Sequence, residues 1–153
     1  MELLKKLNHK NQSKIHLINP PDAFEPTKVE ISKLMEVSEE LEGEETVTFL
    51  LAFFTQKSEI KEVIDKVMKK VNQDALVWLC YPKKSSKNYT SVITRDNGWE
   101  IMGAYSYEPV RQIAIDDDWS ALRFRPISEI KAFTRDEKMV LSEAGKEKSK
   151  RSK

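Results

Sequence analysis

A long apolar run occupies residues 46–55 and reads TVTFLLAFFT. It is rich in β-branched and aromatic side chains and has charged residues on both sides, which is typical of a central strand covered on both faces. Residues 60–71 follow with apolar side chains at helical spacing, and residues 75–81 form a second apolar run. Strand, amphipathic helix and strand in this order predict a right-handed parallel crossover unit.

Shorter segments extend this unit towards the N-terminus. A short helix is predicted at residues 1–7 and a first strand at residues 14–18. That strand must stop at the sequence Asn19-Pro20-Pro21, because proline has no N–H group to donate to a neighbouring strand. Pro26 is suited to open a helix after the turn. The block between Glu36 and Glu45 contains six glutamates, and we expect it to form a solvated turn or loop.

The C-terminal half indicates a different strand arrangement. A short helix is expected at residues 99–105, capped by Asp96 or Asn97, and Asn97 and Glu100 are spaced as in a capping box. Residues 110–115 and 119–125 alternate in polarity and are joined by three aspartates, so they predict an antiparallel hairpin. The predicted fold is therefore α/β, a single three-layer Rossmann-like domain whose mainly parallel sheet ends in an antiparallel hairpin. This plan resembles the sheet of Rossmann-like methyltransferases, whose last two strands form such a hairpin.

The charge of the chain is unevenly distributed. Its 153 residues include 26 Lys and Arg against 25 Asp and Glu, a net charge of +1. The last eight residues hold five basic residues and one acid, which leaves a net of −3 for residues 1–145. We expect one domain over residues 1–135 and a charged, disordered tail over residues 136–153.

Cysteine use and hydropathy predict the environment of the protein. The chain has a single cysteine, Cys80, which lies within an apolar run. Such a thiol is typical of a buried position in a reducing compartment. The sequence shows neither a signal peptide nor an apolar run long enough to span a membrane, so a cytoplasmic protein without a membrane partner is expected.

The turn after the first predicted strand lacks the motifs that would indicate a bound cofactor or a catalytic residue. The first predicted strand is followed by no glycine before Gly43, so a dinucleotide-binding fingerprint is absent. The sequence Asn19-Pro20-Pro21 resembles the Asn-Pro-Pro-aromatic motif of amino-group methyltransferases, but Asp22 takes the aromatic position and a rigid turn is favoured. We predict no catalytic residue, no metal site and no cofactor.

A candidate binding region is expected where the parallel strands end. Ligands of open α/β sheets bind at the carboxyl ends of the strands, and three loops should meet there. The loop at residues 83–88 carries lysines and serines that suit an anionic group; an ordinary solvated loop is the alternative. The residues expected around one crevice are Asn19, Asp22, Thr55, Gln56, Lys83, Lys84, Ser85 and Ser86, with Arg95 as a further candidate.

Two longer segments carry a family resemblance. Residues 81–87 with 94–100, and residues 110–125 with their Asp-Trp-Ser turn, resemble a family of small uncharacterised bacterial proteins. The resemblance covers roughly residues 10–130 and implies the fold and a cytoplasmic location, but no activity. It also raises two interpretations of Arg95, as part of a polar site with Asp118 and a tryptophan, or as a structural residue. The structural interpretation is favoured.

Three hypotheses of function follow from these features. The first is a non-catalytic binding module for an anionic small molecule or a protein partner, and it favours a protein that is not an enzyme. The alternative is a divergent or degenerate methyltransferase-like enzyme that binds an adenosine-type methyl donor. The third is an accessory protein that contacts nucleic acid through the basic tail, residues 146–153. The oligomeric state is left open.

Overall fold

The computed structural model describes residues 1–41, 43 and 45–130. In these residues, helices of 5 to 11 residues accompany the six strands of one sheet. The helices and strands, in chain order, are α1 (Glu2–Lys6), β1 (Lys14–Ile18), α2 (Glu25–Ser32), β2 (Glu36–Ser38), β3 (Val47–Phe53), α3 (Lys57–Val67), β4 (Val71–Pro82), α4 (Glu100–Ala104), β5 (Tyr107–Ala114) and β6 (Trp119–Pro126). Within this part of the chain, no helix reaches the length and apolar character of a membrane span.

The sheet has the strand order β2-β1-β3-β4-β6-β5. The first four strands in this order run parallel, whereas β6 runs antiparallel to both β4 and β5. The predicted crossover from β3 through α3 to β4 and the predicted hairpin of β5 and β6 are both confirmed. The chain leaves β1 towards one edge of the sheet and resumes at β3 on the other side, so the strand order reverses at β1.

Both faces of the sheet are covered. On one face α3 and α4 pack against it through Ile60, Ile64 and Met102. On the opposite face the helices α1 and α2 contribute Leu4 and Ile31. Successive side chains of β3 enter these two cores in turn, which is why the run at residues 46–55 is apolar throughout rather than alternating.

The structure adds a strand that was not predicted and shortens one predicted helix. The strand β2 lies inside the glutamate block that was expected to be loop only, where Val37 packs on the core and Lys14 of β1 pairs with Glu36 at 3.1 Å. The helix α3 ends at Val67, four residues earlier than its apolar spacing predicts. Val71 instead starts β4 and pairs with Val47 of β3. Because Val71 belongs to the sheet, the helix must end before it.

The capping box also lies elsewhere than predicted. The helix α4 begins after Trp99 without a side-chain cap, so the Asn97 and Glu100 prediction is wrong. A capping box is present instead at α3, formed by Gln56 and Glu59. The predicted domain end at residue 135 and the predicted tail, residues 136–153, lie outside the described residues.

The buried centre of the sheet dominates stability. Leu50 in β3 is fully buried, whereas Leu34 is 61% exposed, so the same truncation can be compared in two environments. We expect Leu50→Ala to lower the free energy of unfolding by about 2–5 kcal/mol, because it leaves a cavity in the core. Leu34→Ala should change it by less than about 0.5 kcal/mol. Urea unfolding measures both, and equal losses would contradict a core centred on β3.

Candidate functional site

Five of the nine predicted binding residues line one of two cavities at the carboxyl ends of the parallel strands. Asn19 lines the first cavity, next to the ends of β1 and β2. The second cavity, at the end of β4, brings together four predicted residues, which are Lys83, Lys84, Ser85 and Arg95. The strand β3 lies between β1 and β4 in the sheet, so its end separates the two cavities along this edge.

Four other predicted residues line neither of these cavities. Asp22 is exposed in a short 3₁₀ turn. The Thr55 hydroxyl donates to Glu59 at 3.1 Å, and Gln56 caps α3. The Ser86 hydroxyl donates to Asp118, in the turn between β5 and β6, at 2.8 Å. These hydrogen bonds give structural roles to Thr55, Gln56 and Ser86.

The first cavity, named here the acidic cavity, has a volume of about 510 Å³. Residues that end β1, follow β2 and open α3 surround it. They are Ile18, Asn19, Glu39, Glu40, Leu41, Glu59, Glu62, Val63 and Lys66. Four carboxylates face one ammonium group, so the cavity favours a ligand with positive charge.

The carboxylates of the acidic cavity differ in how they are held. One oxygen of Glu59 accepts from the Thr55 backbone N–H at 3.0 Å and from the Gln56 backbone N–H at 2.9 Å, which assigns Glu59 to the start of α3. Glu39 directly follows β2 and accepts from Lys28 at 3.0 Å, with 43% of its side chain exposed. Glu39 therefore remains accessible to a ligand, whereas Glu59 mainly supports the wall.

The turn after β1 is made without glycine. Asn19 has a φ of +54°, a left-handed conformation that asparagine tolerates better than most residues. The next two residues are Pro20 and Pro21, which have no N–H group. The turn can therefore bring the chain past the end of β1, but its prolines cannot donate backbone hydrogen bonds to a ligand.

The second cavity, named here the basic cavity, also has a volume of about 510 Å³. It is formed by the end of β4, the loop that follows, and the facing parts of β5 and β6. Its walls are Tyr81, Pro82, Lys83, Lys84, Ser85, Ile93, Thr94, Arg95, Asp96, Gln112 and Ser120. Three basic side chains face one acid, which is the opposite charge balance to the acidic cavity.

The less favoured interpretation, a polar site that joins Arg95 and Asp118, is not what the structure shows. Arg95 donates to Asp96 at 2.9 Å instead. The Asp118 carboxylate accepts from Ser86 at 2.8 Å and from Asn88 at 3.1 Å, so it fixes the loop after β4. The Trp99 indole N–H donates to a backbone carbonyl at 2.8 Å, as a structural residue does. These contacts agree with the structural interpretation of the cluster.

The loop between β4 and α4 is held against the end of β3. The Ser91 hydroxyl donates to the Thr55 carbonyl at 2.7 Å, and Lys57 donates to the Asn97 side chain at 2.9 Å. These bonds position residues 93–96, which form one wall of the basic cavity. The sequence carries no periodic signal for this wall, because it consists of irregular loop.

Comparisons with known proteins identify the fold. No family model and no curated protein matches the chain. Among solved structures, it is similar to the N-methyltransferase NodS from Bradyrhizobium japonicum WM9, with 12% identity and a TM-score of 0.50 over 82% of this chain and 93% of NodS. It is also similar to a SAM-dependent methyltransferase from Aquifex aeolicus, with 13% identity and a TM-score of 0.50 over 80% of this chain and 87% of that one. A further match, LepI in complex with SAM, has 10% identity and a TM-score of 0.46 over 82% of this chain, which spans only 39% of LepI.

The predicted α/β class is thus confirmed, and the chain has a Rossmann-like fold that matches the fold of these two methyltransferases. The hypothesis of a non-catalytic binding module is overturned by these two matches, which extend over most of the length of both methyltransferases. The alternative hypothesis, a methyltransferase-like protein, agrees better with them. The resemblance to an uncharacterised bacterial family stays a prediction.

Cys80 is positioned as a core residue rather than a nucleophile. It is fully buried in β4, and burial raises the pKa of its thiol well above the usual value. We expect the native protein to resist Ellman's reagent at mildly alkaline pH, whereas the protein in denaturant reacts fully. Because the chain contains one cysteine, the colour measures this thiol alone. Rapid labelling of the native protein would contradict the buried position.

Proposed function

We propose that this chain is a divergent methyltransferase that binds S-adenosylmethionine, the methyl donor, in the acidic cavity. The observation that carries the proposal is the position of that cavity. It lies at the carboxyl ends of β1 and β2, beside the point where the strand order of a methyltransferase-like sheet reverses. Ligands of open α/β sheets bind at such a point.

The charge of the acidic cavity fits this donor. S-adenosylmethionine carries a sulfonium, an ammonium and a carboxylate, so its net charge is positive. The carboxylates of Glu39, Glu40 and Glu62 outnumber the single Lys66 ammonium, and the cavity therefore attracts the donor. A nucleotide with phosphate groups would be repelled by the same carboxylates, which distinguishes the two classes of ligand.

Glu39 is the residue we assign to the ribose of the donor. In nucleotide-binding Rossmann folds, an acidic residue about 20 positions beyond the first strand's turn accepts from the ribose hydroxyls. Glu39 follows Asn19 by that distance, comes directly after the second strand, and keeps part of its carboxylate exposed. Glu39 also pairs with Lys28 at 3.0 Å.

The turn after β1 cannot bind the carboxylate of S-adenosylmethionine through backbone N–H groups, as a glycine-rich turn does. Pro20 and Pro21 offer no N–H groups, so the backbone contacts that a glycine-rich turn supplies are missing. The side chains of Asn19 and Lys66 line this cavity and can donate hydrogen bonds to the carboxylate of S-adenosylmethionine. Lys66 is only loosely paired with Glu62, at 3.8 Å, and is thus able to bind a carboxylate. The absence of glycine after β1, on which the prediction of no cofactor rested, is therefore compatible with a donor held by side chains.

The reaction requires little chemistry from the protein beyond binding and orientation. When bound, the donor supplies an electrophilic methyl group. An acceptor lone pair forms the new bond to the methyl carbon, the carbon–sulfur bond breaks with its electron pair remaining on sulfur, and the acceptor's proton leaves to water. The chain's own contribution is to hold both molecules in line at the end of β3, which raises their effective concentration.

Calorimetric titration with S-adenosylmethionine tests the proposal. We expect the wild-type protein to bind the donor and Glu39→Gln to bind it about tenfold more weakly, because a charged hydrogen bond is lost. Lys28→Met is the matched control, since it breaks the same ion pair but retains the carboxylate. It should therefore bind the donor at least as well as the wild type.

Two outcomes would count against the proposal. Absence of any binding by the wild-type protein would remove it. Equal weakening in Glu39→Gln and Lys28→Met would show that the ion pair, rather than contact with the ribose, determines affinity.

A further inference from the structure

The basic cavity lies beside the proposed donor site and has the opposite charge. The strands β1 and β4 lie roughly 10 Å apart in the sheet, because two strand spacings separate them, and β4 extends three residues beyond the level of Ile18, where β1 ends. The acidic cavity opens on one side of the end of β3 and the basic cavity on the other. A donor and a second molecule can therefore occupy the same edge of the sheet without sharing a cavity.

The lysines of the basic cavity have no internal partner. Among the described residues, neither Lys83 nor Lys84 makes a side-chain hydrogen bond or an ion pair, although both line the cavity. The acids near the loop are occupied or turned elsewhere. Asp118 binds Ser86 and Asn88, and Asp117 lines a neighbouring depression that Lys83 also borders, without forming an ion pair with Lys83.

Arg95 adds a third cation from the opposite wall. One of its terminal nitrogens donates to Asp96, but a guanidinium group has five N–H donors, so others remain for a ligand. Arg95 lines the same cavity as Tyr81, whose hydroxyl has a pKa raised by burial. The three cations therefore act on one space.

The remaining walls of the cavity are largely apolar. Tyr81 and Ile93 are buried, and Pro82 continues the surface between them. Ser120 and Gln112 add polar groups from the hairpin. The cavity thus combines a cationic rim with an apolar and aromatic floor, an arrangement that suits a small molecule with an anionic group attached to an apolar body.

We infer that the basic cavity binds the methyl acceptor, and that the acceptor is a small organic acid whose carboxylate or phosphate is held by Lys83, Lys84 and Arg95. The inference rests on the proposed methyltransferase function for the reaction, but the anion site follows from the cavity alone. The nucleophilic atom belongs to the body of the acceptor, which extends towards the end of β3. The lysine loop thereby determines substrate class rather than catalysis.

Binding of charged aromatic probes tests the site. Phenyl phosphate and benzoate represent the two possible anions, and benzylamine has the same ring with the opposite charge. We expect at least one acid to bind the wild-type protein and benzylamine not to bind. The double variant Lys83→Met with Lys84→Met retains the apolar stems and should weaken the acid about tenfold, because charged hydrogen bonds are lost.

Lys87→Met is the matched control. Lys87 lies in the same loop but lines the neighbouring depression instead of the basic cavity, so its loss should leave the affinity for the acid unchanged. Thermal unfolding of each variant verifies that the loop substitutions leave the fold intact. Equal affinity in the wild type and the double variant, binding of benzylamine, or no binding of either acid would each overturn the inference.

Titrations with S-adenosylmethionine on the same samples separate this inference from the proposed function. The double variant should bind the donor as the wild type does, and saturating donor should not displace the acid, because the cavities are distinct. If the donor binds and neither acid does, the acceptor class is wrong while the proposed function stands. If the acids bind at the lysines but the donor does not, the proposed function and the acceptor role both fail. Competition between donor and acid would contradict two separate sites.

Discussion

The burial of β3 on both faces is the constraint on which the rest of the structure depends. Its side chains enter the core beneath α3 and the core beneath α1 and α2, so both helical layers must be present for the strand to be stable. Its backbone pairs with β1 on one side and β4 on the other. Once this strand is central, its carboxyl end becomes the boundary between the two cavities.

The two cavities differ because different loops reach this edge. The segment after β2 carries carboxylates to the ends of β1 and β2, whereas the loop after β4 carries lysines to the far side of β3. Opposite charges on either side of one strand end suit a cationic methyl donor and an anionic acceptor. The same separation keeps the carboxylates and the lysines from neutralising each other, so both remain available to ligands.

Much of the fold was predictable, because the spacing of apolar residues indicates which side chains are buried, and prolines and polar turns indicate where strands end. The strand β1 lies at the predicted residues, before Pro20, and the predicted hairpin of β5 and β6 forms, although β5 begins at Tyr107 rather than at residue 110. The strand β2 was missed because three residues in a glutamate-rich block carry no periodic signal. The end of α3 was missed because Val71 continues the helical spacing while pairing with Val47 in the sheet.

The candidate site was predictable only in part. By itself the sequence determined the α/β class, the chain order of the helices and strands, and the basic character of the loop after β4, since these follow from local pattern and composition. Only the tertiary structure decided that Lys83, Lys84 and Arg95 share a cavity, that Glu39 stands beside Asn19, and that Thr55 and Gln56 serve the start of α3. Those relations depend on strand order and on loop contacts between residues far apart in the chain, and neither is encoded in the spacing of neighbouring residues.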